Sequence, residues 1–156
     1  MLQGSCPCGT VGFETEVQPL ARFYCHCTTC QKMYQRPYVD LTVAWSWNVN
    51  INQNADSVEW VRKHKFPVSV HRGVCQECSK PVLGRLQVPT PGLSFIATAN
   101  WSDRSTLPPP SGHIFYRSRV VEVDDPLPKV EGWLGSELAV PAWALPRMLG
   151  LGGNRA

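Results

Sequence analysis

Cys6-Pro7-Cys8-Gly9, Cys25-His26-Cys27-Thr28-Thr29-Cys30 and Cys75-Gln76-Glu77-Cys78 hold all seven cysteines of the chain. The groups read C-x-C, C-x-C-x-x-C and C-x-x-C. Two cysteines one or two residues apart reach a single ion from a tight turn, and zinc takes four ligands in a tetrahedron with Zn–S near ~2.3 Å. Each pair is therefore half a site, and a second pair from elsewhere must close it. Two pairs and a triplet make one set of four thiolates and one set of three. Structural zinc sites are closed by four protein ligands, whereas catalytic ones keep an open position. Cys6, Cys8, Cys75 and Cys78 form the natural closed set, although spacing alone leaves the combination open. Cys25, Cys27 and Cys30 lie close enough in sequence to bind one ion unaided.

Other readings of these thiols stand beside this one. Cysteines are often small buried hydrophobes, but scattered residues rarely fall into three clusters. A disulfide framework leaves one of seven thiols unpaired. A redox C-x-x-C is expected to open a βα unit, and neither pair does. A single structural zinc with the triplet as loose thiols also satisfies the spacing. The closed site matters to folding: zinc binding in small structural sites contributes about 10–16 kcal/mol, against a net domain stability of about 5–15 kcal/mol. It also clips the amino-terminal strand to the middle of the sequence.

The rest of the composition narrows the class. The chain has 156 residues, 43% of them hydrophobic and 17% charged, which suits a folded domain with an ordinary core. Fourteen prolines and twelve glycines favour short strands and turns over long helices. The net charge of +3 and the lack of a Lys/Arg run exclude a nucleic-acid footprint. No stretch approaches the roughly 18 apolar residues of a membrane span, and Met1-Leu2-Gln3-Gly4-Ser5-Cys6 has no leader character. A cytoplasmic setting is expected, where thiols stay reduced and free for metal.

Alternation and β-branched or aromatic runs mark strands within residues 10–17, 38–47, 57–62, 67–74, 81–88 and 113–116, while residues 21–24 lead into the second cysteine group and 93–97 form a short apolar run expected to be buried. Residues 48–56 are polar and Asn-rich, so a loop or hairpin is expected. Residues 101–112, with Pro108-Pro109-Pro110, read as a surface loop. The tail from about Glu131 holds Trp133, Leu138, Trp143, Leu145 and Leu149, but Pro141 and Pro146 limit it to short helices. Its last residues are expected to fray. The fold class is mainly β.

The cysteine groups, in this order, resemble the glutathione-dependent formaldehyde-activating family, which includes centromere protein V. The matching stretches are residues 4–14, 24–32 and 73–78, with weaker likeness in His113-Ile114-Phe115-Tyr116-Arg117-Ser118-Arg119 and Leu127-Pro128-Lys129-Val130-Glu131-Gly132. The resemblance implies an Mss4-like fold of small twisted antiparallel sheets built around zinc, spanning residues 1–133. Residues 134–156 are then an extension packing on that domain. It implies a structural zinc on Cys6, Cys8, Cys75 and Cys78, and a catalytic zinc on Cys25, Cys27 and Cys30. It also implies a carbon–sulfur lyase of the S-(hydroxymethyl)glutathione synthase type, with glutathione as co-substrate and formaldehyde or a related aldehyde as its partner. A non-catalytic zinc scaffold that binds a protein partner is the alternative. A homodimer is compatible with either.

Three positions depart from the family pattern. Ser79 follows the last cysteine where Gly is usual, and Ser fits that turn if φ stays negative. Gln35-Arg36-Pro37 replaces small residues after the triplet, and Asn100-Trp101-Ser102-Asp103 replaces an acidic stretch. Lys32 and Arg36 follow the triplet and suit the carboxylates of glutathione. His26 sits between two ligands; strand alternation turns it away from the ion and gives it a structural role. His64, His71 and His113 read as strand or loop residues, and Trp45, Trp47, Trp60 and Trp101 as core or sheet-face residues.

Overall fold

The computed structural model describes residues 1–62, 69–86 and 92–151. The strands in order are β1 (Leu2–Ser5), β2 (Gly12–Thr15), β3 (Ala21–Cys25), β4 (Val39–Trp45), β5 (Asn50–Gln53), β6 (Val58–Arg62), β7 (Val70–Cys75), β8 (Pro81–Leu86), β9 (Leu93–Ala97) and β10 (Pro110–Ile114). Helix α1 (Thr28–Tyr34) follows β3, and α2 (Trp133–Met148) closes the described chain. The chain is mainly β, as the composition leads one to expect. Backbone contacts divide it into two units: Met1–Pro19 with Val43–Leu107, and Leu20–Thr42 with Pro108–Ala156.

In the first unit β1, β2 and β5 form an antiparallel sheet in that order. Strands β6, β7, β8 and β9 pair antiparallel, each with the next. Alternation along β2 sends Phe13 inward, where its ring meets Trp101 edge-on at 5.0 Å. Around that pair pack Val11, Val49, Val82, Leu83 and Ile96, together with Cys6 and Cys75. Gly4 has to be glycine: a Cβ there would collide with the Phe13 ring and the Asn100 carbonyl. The Asn100 amide in turn donates to the carbonyls of Pro81 (3.0 Å) and Val82 (2.9 Å). The first unit is thus closed around the start of β1 and the turn before β8.

In the second unit β10 runs parallel to β3, with His113 opposite Tyr24 and Ile114 opposite Cys25. Phe23, buried by the alternation of β3, packs on Trp143 of α2 at 6.3 Å. Ser136, Val140 and Ala144, four residues apart, form the buried stripe of α2.

Two expectations need correcting. The polar stretch 48–56 contains β5, because tertiary pairing with β2 overrides low strand propensity. Ile51 pairs with Phe13, and β5 is otherwise exposed. The tail forms one helix of 16 residues with Pro141 and Pro146 inside it, where short helices were expected. Both prolines face solvent, and the packed stripe of Ser136, Val140 and Ala144 holds the helix through them despite the bonds they remove. The helix ends in a Schellman turn: Gly150, at φ 71, donates to Arg147 O (3.1 Å) and Leu151 to Pro146 O (2.7 Å). Strands β1 and the unforeseen α1 are short and lack periodic signals. Expected strand residues 67, 68, 87 and 88 lie outside the described residues.

Candidate metal centres

The first cysteine group is built from two turns of one design. Cys6 N–H donates to Val11 O (2.9 Å) and Gly9 N–H to Cys6 O (2.9 Å), so the chain doubles back over the Cys6 sulfur. Val11 N–H points at Cys6 Sγ from 3.3 Å. Cys75 N–H donates likewise to Lys80 O (3.0 Å) and Ser79 N–H to Cys75 O (2.8 Å). Each turn needs a left-handed residue directly after its second cysteine. Gly9 takes φ 78 at no steric cost, whereas Ser79 takes φ 55. The condition for Ser at this turn, a negative φ, is therefore not met.

These turns bring Cys6, Cys8, Cys75 and Cys78 together, all four sulfurs lying within 4.8 Å of one another. Cys6 Sγ is 3.3 Å from Cys8 Sγ, which is 3.8 Å from Cys75 Sγ. A tetrahedron with metal–sulfur bonds of about 2.3 Å has edges of about 3.8 Å, so the donor set fits a four-coordinate, thiolate-loving divalent cation. All seven cysteines are unbridged, which removes the disulfide reading. Burial pushes the Cys6 thiol up to about 11. Hydrogen bonds from Thr10, with a smaller contribution from Cys6, draw Cys8 down to about 6. A cation bound by these four sulfurs would displace the proton that burial favours on Cys6.

The second group lies in the other unit. Cys25 ends β3, Cys27 caps α1, and Cys30 stands in the first turn of that helix. Cys30 N–H donates to Cys27 Sγ at 3.3 Å, so the cap itself turns one sulfur toward the next. The three sulfurs lie within 4.8 Å of one another. Cys25 is pushed well above its ordinary value by its neighbours Cys27 and Cys30 and by burial. Three crowded sulfurs cannot all ionise alone, and a cation resolves the repulsion. Among the described residues no fourth Cys, His, Asp or Glu joins this group.

Behind the triplet runs a chain of polar groups that spacing did not reveal. Lys129 Nζ donates to Asp125 Oδ1 at 2.9 Å, and His113 Nε2 lies 2.9 Å from Asp125 Oδ2. The Lys129 ammonium, with help from His113, holds Asp125 down at about 2, so it is a carboxylate and His113 Nε2 is the donor. His113 Nδ1 in turn shares a hydrogen bond with His26 Nε2, 2.9 Å away. His26 Nδ1 is buried and has no partner in the structure. Burial, and then the nearby His113, lower His26 to about 4, so the ring is neutral at physiological pH. Tyr38 stacks on it at 4.9 Å, and Tyr116 meets it edge-on at 4.9 Å. Gln31 of α1 donates to His26 O (2.6 Å) and to Ser118 O (2.8 Å), fixing the motif to the turn after β10.

Lys32 and Arg36 are exposed, at the end of α1 and just beyond its left-handed cap Gln35. Neither makes an ion pair among the described residues. His71 lies in β7 opposite Arg85, away from both cysteine groups, and His64 lies outside the described residues. Trp101 is in the core, while Trp45 and Trp47 stack at 4.6 Å. No described helix is long and apolar enough to cross a membrane.

No curated protein matches the chain. A crystal structure of a Rhodobacter sphaeroides protein, solved as a structural-genomics target, is similar at 16% identity and a TM-score of 0.49. The match covers 63% of this chain and 85% of that one. The family profile described as glutathione-dependent formaldehyde-activating enzyme matches residues 1–118 and so takes in every cysteine of both groups. The chain belongs to the glutathione-dependent formaldehyde-activating enzyme family.

Proposed function

We propose that the chain is a zinc-dependent carbon–sulfur lyase of the S-(hydroxymethyl)glutathione synthase type, joining glutathione to formaldehyde or a related aldehyde in the cytoplasm. The observation that carries this reading is the three-sulfur group on Cys25, Cys27 and Cys30, which has no fourth donor among the described residues. Cys6, Cys8, Cys75 and Cys78 would hold a closed structural zinc. Zinc on the triplet would supply a thiolate nucleophile at neutral pH from a thiol that takes the open position.

The addition itself forms one S–C bond and moves the thiol proton to the aldehyde oxygen. The protein's own residues supply position. Lys32 and Arg36 are available to pair the carboxylates of glutathione. His26, between two of the cysteines and hydrogen-bonded through His113 to Asp125, is held in place behind the triplet. Because thiols and formaldehyde combine unaided, orientation accounts for most of the expected acceleration.

The test follows formaldehyde consumption by glutathione across a range of protein concentrations. The rate should rise in proportion to protein and return to the uncatalysed value in the Cys27→Ser variant. Rates that coincide with and without protein would remove the assigned activity.

A further inference from the structure

Helix α2 buries one face and leaves the other without a polar side chain. Every exposed residue from Trp133 to Pro146 is apolar. Trp133 is 50% exposed, Leu134 63%, Leu138 61% and Leu145 50%, and Leu149 just beyond the helix is 62% exposed. A surface helix normally turns charged or polar residues outward, and one that is apolar all round is covered on both sides. The family profile ends at residue 118, so this helix lies beyond the family match.

The spacing says what covers it. Leu134, Leu138, Pro141 and Leu145 follow at intervals of four, three and four residues, the seam on which one helix packs along another. The stripe is also a palindrome. Leu138 and Leu145 stand equally far from the midpoint between Pro141 and Ala142, and so do Leu134 and Leu149. A two-fold axis through that midpoint sets Leu138 against Leu145 of a second copy, Leu134 against its Leu149, and Pro141 against its Ala142. Such an interface is isologous, each contact occurring twice. At roughly 150–200 Å² for a large apolar side chain, the exposed parts of the four leucines offer on the order of 400 Å². The small exposed residues between them add to this. Specific interfaces begin at about 600 Å² from each partner, so the stripe is large enough for a dimer of modest affinity. A membrane surface fits less well, because Arg147 is the one basic residue of the helix and is half-buried.

We propose that the chain forms a two-fold dimer through antiparallel pairing of α2 with the α2 of a second copy. Sedimentation equilibrium on the metal-loaded full chain, from about 1 to 300 µM, should show a monomer–dimer equilibrium with a micromolar Kd. Leu138→Glu alone and Leu145→Lys alone should each weaken it at least about 100-fold, with circular dichroism and metal content unchanged. Mixing the two variants should restore a one-to-one dimer, because each glutamate then faces a lysine and the remaining leucines face each other. The single chain carrying both substitutions should also dimerise, which separates a broken seam from a broken fold. A wild-type chain that stays monomeric at the highest concentration overturns the proposal. So do single variants that remain dimeric, or a mixture that remains monomeric. Binding of the monomer to lipid vesicles without self-association would assign the face to a membrane instead.

Discussion

Ser79 holds the place after Cys78 that Gly9 holds after Cys8, and both residues are left-handed. For a residue with a Cβ that conformation costs roughly 1–2 kcal/mol, partly offset in glycine by its looser unfolded chain. Ser79→Gly should therefore stabilise the protein by about 0.5–1 kcal/mol, read as a higher thermal midpoint at constant metal content. An unchanged or lower midpoint would mean that the Ser79 side chain stabilises the turn in its own right. At this scale the cysteine groups were legible from the sequence, because a metal knuckle is a local turn whose spacing is set by the ion. The His26–His113 pair was not legible. Its members are 87 residues apart, and each looks like an ordinary residue of its own segment. The nearest available signal was that His26 lies between two ligands, and strand alternation argued there for a structural role.

Ser136 joins two elements. Its hydroxyl donates to Gly132 O (2.7 Å) in the first turn of α2 and accepts from Phe115 N–H (2.8 Å) after β10. Phe115 is left-handed at φ 53, so this bond also secures the bend that ends the strand. The Ser136 side chain is fully buried, and nothing replaces its oxygen. Ser136→Ala should cost about 1–3 kcal/mol, measured by urea unfolding with metal bound, and a loss below about 0.5 kcal/mol would contradict the role. Elements with strong alternation, such as β2 and β6, were legible in advance. Strand β5 and helix α2 were not, because partner strands and a packed stripe outweigh Asn-rich composition and interior proline. Neither effect can be seen in a window of a few residues.

On the scale of the whole molecule, each unit carries its own cysteine group. Cys6 and Cys75 belong to the hydrophobic core of the first unit, so losing a cation held there would expose core as well as thiols. Thiols whose values are raised, as those of Cys6, Cys25 and Cys78 are, must lose protons to bind. Affinity should therefore fall as pH falls, and the metal should leave before the carboxylates titrate. The most direct measurement is metal content with X-ray absorption at the zinc edge, on protein purified without chelator. The expected result is two zinc ions per chain, with an average near 3.5 sulfurs at about 2.3 Å and the balance from a lighter donor, and Cys75→Ala should remove one ion. A chain that folds with no zinc, and with all its thiols reactive, would contradict the assignment.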